Sequence, residues 1–124
     1  MRLELLPGTF AICRLTAMED ATPIPSPHFL AVTDDEVSLI CHSGVTPASA
    51  AAVSDGWRML RVAGTLDFGL VGVIAELGAI LARAGIAIFV MSTYLTDYLM
   101  AKAERMDDAI AALQAAGHTV EPHA

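Results

Sequence analysis

The stretch LVGVIAELGAILARAGIAIFVM, Leu70 to Met91, decides how the chain folds. Its length and apolar character would let it span a bilayer as one helix. Two features argue for another reading. Glu76 and Arg83 fall inside it, and charges at that depth in a bilayer are costly. Gly85 falls where a helix would stop, because glycine readily enters the left-handed conformation that ends helices. The stretch therefore reads as a helix followed by a strand. Leu70, Val73, Ile74, Leu77, Leu81 and Ala84 recur at helical spacing up to Gly85. Ile86 to Met91 is a continuous apolar run with alternating β-branched residues, the pattern of a buried strand.

Working outward, Trp57 to Ala63 alternates, with Trp57, Met59 and Arg61 facing one way and Arg58, Leu60 and Val62 the other. That is a strand. Gly64 to Gly69 is a loop, Ser92 to Asp97 a polar turn, and Tyr98 to Ala103 a further strand. Asp107 and Asp108 are placed to open a second helix at its positive end. Ile110, Leu113 and Ala116 form its stripe and Gly117 its stop, leaving His118 to Glu121 as a last short strand. The order over residues 56–124 is βαββαβ. Right-handed crossovers then give an α+β, ferredoxin-like plan: an antiparallel sheet with both helices on one face. Ile86 to Met91 lies at the edge in that plan, apolar on both faces. Because an exposed apolar edge invites pairing, it is expected to pair with the N-terminal half or with a second copy, as a homodimer.

Residues 1–55 are shorter and less regular. Phe10 to Leu15 and Phe29 to Val32 read as strands, Thr33 to Glu36 as a turn, and Val37 to Cys41 as the returning strand. Residues 17–27 carry Pro23, Pro25 and Pro27 and read as a loop. Pro47 to Ser54 is alanine-rich and reads as a helix capped by Thr46.

At 124 residues, 55% hydrophobic and 17% charged, the chain is a well-buried globular one. A net charge of −7 disfavours nucleic acid and anionic membrane surfaces as partners, but suits a small cationic or zwitterionic ligand. Cys13 and Cys41 form no CxxC pair and read as packed, reduced thiols of a cytoplasmic protein. The first ten residues lack the apolar core of a signal peptide.

Connectivity brings two loops together. The strand ending before Asp67, Phe68 and Gly69 climbs, the helix descends, and the next strand climbs again to Ser92. Both loops therefore sit at one end of the sheet. A helix N-terminus there offers free N–H groups to a carboxylate, and Gly69 and Gly72 permit close approach. Ser92, Thr93 and Thr96 offer hydroxyls, Asp67 and Asp97 offer charge to an ammonium, and Phe68 and Tyr94 offer walls. The same residues also serve as ordinary caps, Thr96 and Asp97 of a tight turn and Asp67 of the helix.

Leu60 to Ile74 (LRVAGTLDFGLVGVI) and Gly85 to Met100 (GIAIFVMSTYLTDYLM) resemble the small bacterial ACT-domain proteins, which are related to the ACT repeats of the cytosolic arginine sensor CASTOR. The STY-x-TDY element, Ser92 to Tyr98, and the glycine before the helix carry the resemblance, which covers Trp57 to Leu113. It implies an ACT fold over 56–124; residues 1–55 read, by their own strand pattern, as a reduced ACT-like unit. It also implies a regulatory, non-enzymatic protein that binds a free amino acid between ACT units. Gly72 would lie against the ligand, with Ser92, Thr93, Tyr94 and Asp97 on the other wall. The sensor has four units where this chain has room for two, so the ligand's identity does not carry over.

Other chemistry finds little support. Cys41 and His42 are neighbours that point to opposite strand faces, and His118 and His123 lie near a C-terminus expected to fray. No metal set assembles from these, and no cofactor loop is present: Gly64, Gly69 and Gly72 make neither a dinucleotide nor a P-loop motif. His42 and Ser43 lack the acid and the elbow of a triad. Two rival functions stand beside ligand binding. One is a dimerisation or docking module with no small ligand. The other is an enzyme using Asp67 and Asp97 as acid and base.

Overall fold

Strand β5 (Ala52–Val62) runs through the middle of the chain and is shared by two compact units. Met1–Pro7 with Arg58–Ala124 makes one unit, and Gly8–Trp57 the other. The computed structural model describes residues 1–18, 24–67 and 69–123. Phe68 and part of the loop expected over residues 17–27 lie outside the described residues.

The first unit is the expected α+β, ferredoxin-like one, with an addition. Besides the second half of β5, it contains β1 (Arg2–Leu5), α1 (Val73–Arg83), β6 (Phe89–Ser92), β7 (Asp97–Lys102), α2 (Ala103–Ala115) and β8 (Thr119–Pro122). Strand β1 was not anticipated. It pairs antiparallel with β5, Leu3 opposite Val62 and Leu5 opposite Leu60, and parallel with β8. The strand order is β8-β1-β5-β7-β6, so an inserted strand separates β8 from β5. The first seven residues thus belong with the C-terminal unit rather than with residues 8–55. Leu3 is the reason: it is fully buried among Leu60, Val62, Leu77 and Leu113. The C-terminus, expected to fray, is held by that parallel pairing.

Both helices cover one face of this sheet, as expected. Leu77, Ile80 and Leu81 of α1 meet Met106, Ala109 and Leu113 of α2 over Leu99 and Ala101 of β7. Helix α1 begins at Val73, after the expected Leu70, because Gly72 takes a left-handed φ of 81° and breaks the helical run. Leu70 and Val71 are left outside it, Val71 94% exposed. Helix α2 begins at Ala103, ahead of the expected Asp107, since the sheet buries Met106 and Ala109 as well as Leu113. Strand β6 pairs with β7 alone among the described strands. No helix among the described residues is long and apolar enough to cross a membrane, and the stretch Leu70–Met91 is divided between α1 and β6.

The second unit holds β2 (Phe10–Leu15), β3 (Phe29–Val32), β4 (Val37–His42), one 3-10 turn at Ser43–Val45, and the first half of β5. Strand β2 lies between β4 and β5, antiparallel to both. Ala11, Cys13, Leu15, Leu39 and Cys41 form its core. The helix expected over Pro47–Ser54 is absent. Ala52, Val53 and Ser54 are strand residues, paired with Arg14, Cys13 and Ile12. Alanine's helix preference is a weak local bias, and a ladder of backbone bonds to β2 overrides it.

The hairpins of the two units match residue for residue. Phe29 pairs with Ile40 and Val32 with Val37, as Phe89 pairs with Met100 and Ser92 with Asp97. The Thr33 N–H donates to Glu36 O at 2.9 Å, and the Thr93 N–H to Thr96 O at 2.9 Å. The return strands β4 and β7 share one burial pattern, buried at their third, fourth and fifth residues and half-buried at their ends.

Candidate functional site

The loop after β5 and the turn between β6 and β7 do meet, and hydrogen bonds say how. The Leu66 N–H donates to Leu95 O at 2.7 Å, joining loop to turn. The Thr96 hydroxyl donates to Val62 O at 2.7 Å, joining turn to strand end. Within the turn, the Thr93 hydroxyl donates to Thr96 O at 3.1 Å and accepts from the Thr96 N–H at 3.4 Å. These bonds fix the turn from within the protein.

Between loop and turn lies a cleft of about 400 Å³, in the range of small-molecule sites. Its apolar lining comes from Leu66, Leu70, Val73, Ile74 and Leu95. It is also lined by Ser92, Thr93, Tyr94 and Asp97 from the hairpin and by Asp67 and Gly72 from the loop. Strand alternation explains the placement of Asp97. Asp97, Leu99 and Ala101 share one face of β7, and Leu99 and Ala101 are core beneath the helices. Ser92, directly opposite Asp97, follows Val90 on the same face of β6. Ser92 and Asp97 therefore crown the core where α1 begins.

Helix α1 opens on Gly72 with no side-chain cap, and its first internal bond runs from the Glu76 N–H to Gly72 O at 2.8 Å. The amides of its first turn, Val73 to Ala75, precede that bond, and these three residues line the cleft. Such amides, with the helix dipole behind them, favour an anion. Across from them, the Asp97 carboxylate is half-buried and has no hydrogen-bond partner among the described residues. Asp67 is exposed, its Oδ1 accepting from the Gly69 N–H at 2.6 Å and its carbonyl from the Leu70 N–H at 3.0 Å. Among the described residues, those lining the cleft offer the first-turn amides of α1 and the carboxylates of Asp67 and Asp97, with no Lys, Arg or His.

Of the residues singled out from sequence, Asp67, Gly72, Ser92, Thr93, Tyr94, Thr96 and Asp97 line this one cleft. Gly69 sits beside it, bonded to Asp67. Thr96 is 3% exposed, and its hydroxyl proton is spent on Val62; its part is to hold the turn. The apolar part of the lining was missed. Val73 and Ile74 carried a helical-stripe signal that assigned them to the core; Val73 does pack against that core, and both residues also line the cleft.

A second cleft, about 360 Å³, lies at the matching turn of the second unit, beside Thr33, Asp34, Asp35 and Glu36. There acids stand where the first cleft has Tyr94, Leu95 and Thr96, and the Glu36 carboxylate accepts from the Ser38 hydroxyl. The chemistry of the two is not repeated. Among the described residues no group of three or more His, Cys, Asp or Glu is arranged to hold a metal ion. Cys13 and Cys41 are free and buried.

A family model of the ACT domain matches residues 52–115, from the start of β5 to the end of α2. The chain belongs to the ACT domain family. The ACT match thus contains both loops of the cleft and the hairpin between β6 and β7. Among solved structures, the chain is similar to a protein of Agobacterium tumefaciens at 28% identity and a TM-score of 0.83, over 99% of this chain and 94% of that one. A Vibrio cholerae protein described as a possible transport protein shares the fold at 20% identity and a TM-score of 0.72, over 92% and 88% of the two chains. The regulatory subunit of aspartate kinase from Thermus thermophilus shares it at 10% identity and a TM-score of 0.68, over 93% and 96%. No curated protein matches the chain.

Proposed function

We propose that this ACT protein is a cytoplasmic regulatory or sensor protein, without catalysis of its own, that binds a free amino acid or similar zwitterion in the cleft between loop and turn. The observation that carries the reading is the pairing of opposite poles across the cleft. The first-turn amides of α1 suit the α-carboxylate. The half-buried Asp97 carboxylate, with the Ser92 and Thr93 hydroxyls beside it, suits the α-ammonium. Membership of the ACT family supports a regulatory role, as does the fold shared with a kinase regulatory subunit.

Strand β6, unpaired on one side among the described strands, is the edge along which a second copy would pair. Residues 8–57 are read as a reduced ACT-like unit, on the strength of the matching hairpins. A ligand that bridges two copies would favour the paired state by simple linkage. The alternative reading is a docking module whose β6 edge pairs without any small ligand.

Calorimetry with a panel of free amino acids tests the proposal, together with Asp97→Asn. At least one amino acid should bind, and the substitution should weaken it by about tenfold or more, the loss of one charge-assisted contact. Binding that ignores the substitution would move the site elsewhere. A stable dimer that takes up no amino acid would favour the docking module.

A further inference from the structure

We infer that β3 is a contact between two copies of this chain. Its free edge pairs antiparallel with the same edge of a second copy, Leu30 opposite Val32 of the partner subunit. This edge belongs to the second unit, whereas the cleft and β6 belong to the first, and the contact needs no ligand.

The backbone fixes the register. Among the described strands β3 pairs with β4 alone, so it ends the sheet. The Thr33 N–H donates to Glu36 O across the turn, which makes those two a hydrogen-bonded pair. Such pairs alternate along an antiparallel ladder. Phe29 and Ala31 therefore turn their backbone groups toward β4, and Leu30 and Val32 turn theirs to the open side. A two-fold axis at Ala31 sets Leu30 against the partner's Val32, and Val32 against the partner's Leu30. Both outward N–H groups and both outward carbonyls of each copy then find a partner.

The side chains agree with that register. Leu30 is 42% exposed and Val32 55%, and an apolar edge left open in this way invites pairing. Both share a face with Leu39 and Val37, the residues opposite them on β4, so pairing would carry the apolar core of the unit across two copies. On the other face the two Ala31 residues would meet in a close, non-hydrogen-bonded pair, where small side chains fit. Charge chooses the direction. Asp34, Asp35 and Glu36 follow β3 at an exposed turn. Parallel pairing would set the two acidic turns side by side, at a cost in repulsion, whereas antiparallel pairing sends them to opposite ends. It also brings each Asp34 to the level of the exposed His28 of the partner subunit, whose ring N–H can donate to a carboxylate.

A four-residue edge buries little surface, so the dimer is weak and depends on concentration. Sedimentation of the ligand-free chain from about 10 μM to about 1 mM should show a reversible dimer; a monomer throughout would overturn the inference. Val32→Lys puts a charge on the edge, a common way of blocking pairing. It should keep the circular dichroism of the native fold and leave the chain monomeric at concentrations where the unaltered chain dimerises. A dimer that survives it lies elsewhere, as at β6, and the inference falls. Ala31→Cys tests the register separately. Oxidised glutathione converts two thiols to one disulfide and leaves as two reduced glutathiones, while Cys13 and Cys41 are buried away from it. On a non-reducing gel Ala31→Cys should form covalent dimer about fivefold faster, or more, than Leu30→Cys. In the inferred register Leu30 faces Val32 of the partner subunit, and its own counterpart lies beyond the ~7 Å that a disulfide spans. Equal rates for the two variants would overturn the pairing.

Discussion

The buried hydroxyl of Thr96 donates to the backbone carbonyl of Val62 at 2.7 Å. That one bond ties the tip of the β6–β7 hairpin to the end of β5, far apart in sequence. The hairpin turn bears one wall of the cleft and the segment after Val62 bears the other. Their separation is therefore set by a contact inside the protein.

Replacing Thr96 with Val keeps the shape and removes the donor. The Val62 carbonyl is then buried without its partner, which costs about 1–3 kcal/mol. Urea unfolding should show that loss for Thr96→Val and much less for Thr96→Ser, which retains the hydroxyl. Equal stability of the two variants would mean the bond contributes nothing.

Gly72 opens α1 at φ 81°, and a Cβ there would meet no atom within 4 Å. Gly72→Ala therefore tests backbone conformation alone. An L-residue held left-handed costs about 1–2 kcal/mol. Thermal denaturation should show a lower Tm, and the first-turn amides should lose ligand affinity as the loop relaxes. A raised Tm would show that the left-handed turn is not required.

Leu3 is fully buried in the core that both helices cover. Truncation to Ala should cost about 2–5 kcal/mol, as for other buried leucines. Since β8 is held through β1, amide exchange across Thr119–Pro122 should accelerate more than that of α1. Uniform acceleration would indicate that β1 and β8 do not open as a local unit.

Burial pushes the Cys41 thiol up to about 11 from 9.0, with neighbouring Cys13 adding to the rise. Cys13 is raised too, again chiefly by burial. Between pH 9 and 11 the unfolded chain releases thiol protons that the folded chain keeps. Stability is thus full below about pH 9 and falls as pH rises toward 11, by up to about 1.4 kcal/mol per unit for one thiol. Urea titrations across that window should show the decline, and Cys41→Ala should flatten it. An identical slope in the variant would assign the loss to other groups.

The order βαββαβ, the two helices and the meeting of the two loops were legible in the sequence, because each rests on local signals. Alternation marked β5 from Trp57 onward, helical spacing marked α1, and Gly85 marked its end. Once strand and helix directions follow one another, Asp67 and Ser92 must share an end of the sheet. What tertiary structure alone decided rests on pairing between distant segments. Arg2–Leu5 is too short to declare itself, and becomes a strand because Leu3 fills a place beside Leu60 and Val62. Residues 52–54 lean toward helix by composition and become strand because β2 offers a ladder. Thr96 reads like its neighbours in a polar turn, yet its hydroxyl turns inward to Val62. Propensity and periodicity act over a few residues, whereas these outcomes depend on which backbone groups and cavities arrive from elsewhere in the chain.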